Sequence, residues 1–239
     1  MSTSLIWNNQ DGSLAVNRDN LRDFYNQSLQ NYIPSVCFQV EAHCEQDGMM
    51  NCTMSAAFTP GGQPILSEVT GETVLSYSYN SHSHDGAGIN DTIGSLTIDT
   101  TYNMDIQFTN ANGGTSVVIT QHLVISYDMR RFSTTSSGNV VDKTIVDTYT
   151  LTVDESGILS AGLDSQTTDN SSADSFQNFF TDSHDFIREI QSQGDAFVST
   201  GEQNIPLSNK SAYSFPGGQT LAFKNVQFSG NQDLLASVA

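Results

Sequence analysis

The chain has 239 residues, of which 37% are hydrophobic and 14% charged, and its eight Lys or Arg against 26 Asp or Glu give a formal net charge of -18. That length is enough to bury a substantial core, and we read residues 1–239 as one domain. So acidic a surface repels phosphates and anionic headgroups, which sets aside nucleic acid and membranes as partners, and no apolar run approaches the length of a spanning helix.

The first residues, "MSTSLIWNNQDG", lack the basic start and apolar run of a signal peptide. The chain is therefore either intracellular or the processed form of a secreted protein, and a secretory or extracellular location is the expectation adopted. Asn-x-Ser/Thr sites occur at Asn26, Asn51, Asn90, Asn170 and Asn209, a number that chance alone would produce, so they allow glycosylation without arguing for it.

Asn17 to Ile33 predicts an amphipathic helix. Leu21, Phe24, Tyr25, Leu29 and Tyr32 recur at three-to-four spacing, Asn17 or Asp19 can cap the start, and Pro34 marks the end. Strand patterns follow. Val36, Phe38, Val40, Ala42 and Cys44 alternate with polar residues, and Cys52, Met54, Ala56 and Phe58 repeat the pattern before the turn "TPGGQP". Cys37 and Cys44 are of opposite parity and, at about 3.3 Å per residue, too far apart along the strand for a disulfide. A Cys44–Cys52 bridge across a hairpin, with Cys37 free, is the preferred pairing in an oxidising compartment; three buried reduced thiols are the alternative.

Leu75, Tyr77 and Tyr79 then share a face. In "SHSHDG" (Ser81–Gly86), His82 and His84 differ by two and would chelate a metal from one face of a strand, with Asp85, His43 or His122 as a third ligand. The turn formers around them favour a solvated turn instead, with the strand already ended. Leu96, Ile98, Tyr102, Met104, Ile106 and Phe108 form the apolar face of the clearest strand, whose other face is wholly polar. "NANGG" turns into residues 115–132, and "TTSSGN" is read as the connection to residues 140–154. Ser172 to Thr200 returns to helical spacing, and a strand pair near residues 213–228 closes the chain. Long half-buried strands joined by short turns predict an α+β fold, mainly antiparallel β: a long curved sheet or barrel with one helix near the N-terminus and one long helix in the C-terminal part.

No nucleophile elbow, phosphate-binding loop or cysteine–histidine frame is present. The informative signal is polar residues set in apolar strand faces. Gln121 and Tyr127 lie with Val117, Ile119, Leu123, Ile125 and Met129, while Lys143, Asp147 and Tyr149 lie with Val141, Ile145, Leu151 and Val153. Such groups either form internal networks, line an apolar ligand site with a few directed polar contacts, or pair as Lys143–Asp147 at a wet sheet end.

"SSGNVVDKTIVDTYTLTVDESG" (Ser136–Gly157) and "YSFPGGQTLAFKNVQFSGNQDL" (Tyr213–Leu234) resemble a group of small fungal β-rich proteins linked to natural-product pathways, including the hetero-Diels–Alderases of tropolone–sesquiterpene biosynthesis. The resemblance implies a cofactor-free cyclase holding a small hydrophobic substrate in an apolar cavity. It carries over no catalytic residue. Strand parity nominates Tyr127, Lys143, Asp147 and Tyr149 as catalytic groups, and Trp7, Tyr79, Met104, Phe108 and Gln121 as ligand-binding ones. No cofactor or metal is required, and a homodimer is left open. A non-catalytic carrier of apolar ligands, or a secreted carbohydrate-binding or toxin-like β protein, are the competing readings.

Overall fold

The computed structural model describes residues 3–8, 11–29, 33, 37–67, 69, 71–110, 114–157, 159–170, 213–214, 220–221 and 223–238. The helix expected over Ser172 to Thr200 lies outside them. β1 (Thr3–Asn8) and β2 (Asp11–Val16) form a hairpin ahead of α1 (Arg18–Leu29), and β3 (Phe38–Gln46) pairs with β4 (Cys52–Pro60). A meander follows: β5 (Ile65–Ser67), β6 (Thr73–Ala87), β7 (Gly94–Thr109), β8 (Thr115–Arg131), β9 (Thr134–Val153) and β10 (Leu159–Asn170). The described remainder is β11 (Tyr213–Ser214), β12 (Thr220–Leu221), β13 (Phe223–Phe228) and β14 (Leu234–Val238).

The meander is one antiparallel six-stranded sheet in the order β10-β9-β8-β7-β6-β5. It is open, which corrects the barrel alternative: β5 and β10 stand at opposite edges, and the inner face is covered by packing rather than by closure. α1 contributes Tyr25 and Leu29, and the β3–β4 hairpin contributes Phe38, Val40 and Ala42, to one core with the inner residues of β6 to β9. Strict alternation makes this possible. On β7 the inner residues from Leu96 to Phe108 are buried, and the polar partners between them face outward.

Asn17 caps α1, its Oδ1 accepting the Asp19 amide at 2.7 Å. Two side chains of β6 tie the hairpin to the sheet. Ser83 Oγ accepts the Ala42 amide at 2.9 Å, and Asp85 Oδ2 accepts the Cys44 amide at 2.7 Å, satisfying donors that β3 cannot offer to another strand. At Gly94 a Cβ would collide with Cys52 Sγ and sit 3.0 Å from Arg130 O, so only glycine lets the hairpin settle on β7.

"TTSSGN" is no connection. β9 begins at Thr134 and runs through it, leaving Phe132 and Ser133 as the turn from β8. A register shift opposite Ile125/Ser126 inserts Val140 and resets the parity of β9, turning Val141, Lys143, Ile145 and Asp147 inward. The closing strand pair also differs from expectation: β13 pairs with β14, and β11 with β12.

Strands from both ends of the chain make a second sheet, in the order β1-β2-β14-β13. It is moored where β7 turns into β8. Asn110 Nδ2 donates to Phe228 O at 2.6 Å while Asn110 Oδ1 accepts the Phe228 amide at 2.9 Å, a side chain standing in for a strand partner. Thr115 Oγ1 donates to Val226 O at 2.9 Å, and Phe228 stacks on Phe108 at 4.6 Å between ring centroids.

Candidate functional site

The register of β7, β8 and β9 brings the polar inner-face residues together. Val117 opposes Tyr149, Ile119 opposes Asp147, Gln121 opposes Ile145 and Leu123 opposes Lys143. Gln121 thus lies on the diagonals of both Lys143 and Asp147, within reach of long side chains. On its other side it opposes Met104. Tyr102 Oη donates to Gln121 Oε1 at 2.8 Å. Asp147 is 1% exposed and Lys143 8%, so the pair lies within the sheet and not at a wet end of it. Lys143, Asp147, Gln121 and Tyr149 each have at least one further interaction partner.

α1 brings a further group, Tyr25, whose ring centroid lies 5.6 Å from that of Phe108. Burial pushes the Tyr25 phenol well above its ordinary range, and Tyr149 adds to the shift. The phenol therefore stays protonated, a neutral hydrogen-bond donor. By sequence alone Tyr25 belongs only to the apolar stripe of the helix. Its hydroxyl was the available signal, but which strand the helix would cross was not readable. Tyr102 was likewise read as core only.

The other nominated residues fall elsewhere. Tyr127 contacts Ser136 Oγ at 3.2 Å and lies four residues from Leu123 along β8, roughly 13 Å from the Lys143 row. Tyr79 shares that row but stands three strand spacings away, roughly 14 Å, with the Gly62 amide donating to its Oη at 3.3 Å. Phe108 is fully buried against Tyr25 and Phe228. Trp7 lies in β1 opposite Gly12, in the second sheet.

"SHSHDG" is strand, not turn, because pairing with β7 continues to Ala87. His82 and His84 lie on the outer face. His82 Nδ1 is 2.6 Å from Asp99 Oδ1, and His84 meets Thr97 Oγ1 at 2.8 Å and Asp91 Oδ2 at 3.2 Å. Asp85, a nominated third ligand, faces the other way, towards Cys44. Among the described residues no three His, Cys, Asp or Glu side chains are grouped to hold a metal ion.

Cys37, Cys44 and Cys52 are all free and buried. Cys44 opposes Met54 rather than Cys52, which opposes Gln46, so the two cysteines are diagonal neighbours whose thiols hydrogen-bond. Burial first, then Cys52, pushes the Cys44 thiol up to about 12, and burial pushes Cys37 up to about 11.

Comparison with protein-family models, characterised proteins and solved structures finds no match to this chain.

Proposed function

We propose that the inner-face cluster binds a small, largely apolar molecule bearing a carbonyl, and that its chemistry is a cofactor-free cyclisation of hetero-Diels–Alder type. The observation that carries this reading is Asp147 and Lys143, buried in a face otherwise built of Ile119, Leu123, Ile145 and Met104. Even with their partners in place, taking such groups out of water is costly enough that well-packed apolar residues would make as good a core. Directed polar groups in an apolar wall suit a ligand site.

In this reading Tyr25 and Tyr149 donate to the carbonyl oxygen and stabilise the negative charge that develops there, while Lys143, six residues and roughly 20 Å along β9 from Tyr149, meets the far end of the ligand. Asp147 takes the phenolic proton of a hydroxylated precursor and passes it to the departing hydroxide, which leaves as water and unmasks the reactive diene. Holding two apolar reactants in one geometry supplies several kcal/mol more. Because Tyr25 and Phe228 fill the space over Phe108, access requires Tyr25 to swing aside with its part of α1.

The test is turnover of a quinone-methide precursor with a cyclic alkene by the wild type, Tyr149→Phe and Asp147→Asn, with circular dichroism verifying each fold. Rates about a hundredfold lower in both variants are expected. Unchanged rates would remove the cluster from the chemistry, and tight ligand binding without turnover would favour the carrier reading. For the carbohydrate-binding reading, Phe132 is the one aromatic residue that is exposed among the described side chains, too little for a sugar-stacking platform.

A further inference from the structure

At the end of the sheet opposite the β13–β14 hairpin, three turns converge. The hairpin turn between β3 and β4 carries Met49 and Met50, 92% and 69% exposed. The short 3-10 turn Ile89–Asp91 between β6 and β7 carries Ile89, 83% exposed, and the tight turn between β8 and β9 carries Phe132, 37% exposed. Backbone and side-chain bonds lock the three together. The Phe132 amide donates to Ile93 O at 3.2 Å, and Ile93 N donates to Ala87 O at 3.0 Å. Arg131 Nη2 donates to Cys52 O at 2.7 Å. The Ile89 and Phe132 turns join neighbouring strand pairs, so they stand about 10 Å apart.

Phe132 adds an independent observation. Its φ is +54°, in the left-handed region where a bulky side chain is disfavoured and glycine or asparagine would sit without strain. A turn that keeps a strained phenylalanine with more than a third of its surface in solvent gives up backbone stability for that ring.

We propose that Met49, Met50, Ile89 and Phe132 form an apolar rim that seats this end of the sheet on an electrically neutral, zwitterionic membrane surface. The side chains stand on separate turns instead of forming one flat patch. A protein partner needs a continuous interface, roughly 800 Å² per side, whereas a bilayer interface accepts protruding side chains one by one. Charge selects the lipid. Glu45, Asp47, Asp91 and Asp128 share this end with a chain of net charge -18, which holds anionic headgroups away. Arg130, one of the eight cations, lies directly behind the tips, its Nε donating to Phe132 O at 3.0 Å, and is placed to meet lipid phosphates once the tips insert. The acidic surface repels anionic lipids and no apolar run is long enough to span a bilayer as a helix, but neither property opposes contact with a neutral interface.

The test is flotation of the full chain with phosphatidylcholine vesicles and with vesicles rich in phosphatidylserine. The wild type is expected to float with the first and less with the second. Ile89→Ser and Met50→Ser should each weaken partitioning about tenfold, the cost of withdrawing one such side chain from an apolar phase. Phe132→Asn should weaken it similarly while raising thermal stability, which separates lost contact from misfolding. No flotation of the wild type, undiminished flotation of the variants, or stronger binding to phosphatidylserine would overturn the proposal. So would a concentration-dependent dimer dispersed by the same substitutions, which would assign the tips to self-association.

Discussion

The two ends of the long sheet are built on opposite plans. Where β7 turns into β8, the second sheet closes over the strand ends: Phe228 stacks on Phe108, and Asn110 satisfies both backbone groups of Phe228. Where β6 turns into β7 and β8 into β9, nothing described covers the tips, and Met49, Met50 and Ile89 stand in solvent. One end spends its apolar side chains on stability. At the other they add little folding energy, and the left-handed backbone at Phe132 detracts from it.

The sharpest test of that contrast is Phe228→Ala. Removing a ring stacked on a fully buried partner should cost about 3–5 kcal/mol in chemical denaturation. A loss below about 1 kcal/mol would mean that the second sheet is not part of the cooperative core. The alkaline response probes the layer just beneath the open end, where Cys44 and Cys52 meet Ala87. A thiol that titrates near 9 in the unfolded chain and at about 12 in the folded one leaves the folded state holding more protons between those values. Stability is therefore full below pH 9 and falls as pH rises towards 12, by at most about 1.4 kcal/mol per pH unit for each such thiol. Cys44→Ala should flatten that slope, and an unchanged slope would assign the alkaline loss to other groups. The smallest effect is expected at the open tips, where Ile89→Ser should change stability by no more than about 0.5 kcal/mol. A large loss there would show that the tip is buried in solution and erase the difference between the ends.

The residues that could be read directly are those governed by local period. Alternation along Leu96 to Phe108 identified the buried face of β7, and the same parity set Gln121, Lys143 and Asp147 on apolar faces, while the burial of Lys143 and Asp147, as against a wet sheet end, came only with the structure. The stripe of Leu21, Phe24, Tyr25 and Leu29 located α1, with Asn17 as its cap. Turn chemistry misled at two places. "SHSHDG" and "TTSSGN" are rich in turn formers, yet both are strand because a paired neighbour overrides weak local preference. β1, β2, β5 and β10 were not anticipated, their patterns being short or polar on both faces.

By itself, then, the sequence determined the antiparallel class, the helix ahead of the sheet and the polar set on apolar strand faces, because a two-residue period on a half-buried strand needs no partner to be read. Only the tertiary structure decided which strands are neighbours. Register brought Gln121 between Lys143 and Asp147, α1 carried Tyr25 to Tyr149, and three turns distant in sequence gathered at one end. Those placements depend on packing between elements far apart in the chain, which periodicity does not encode.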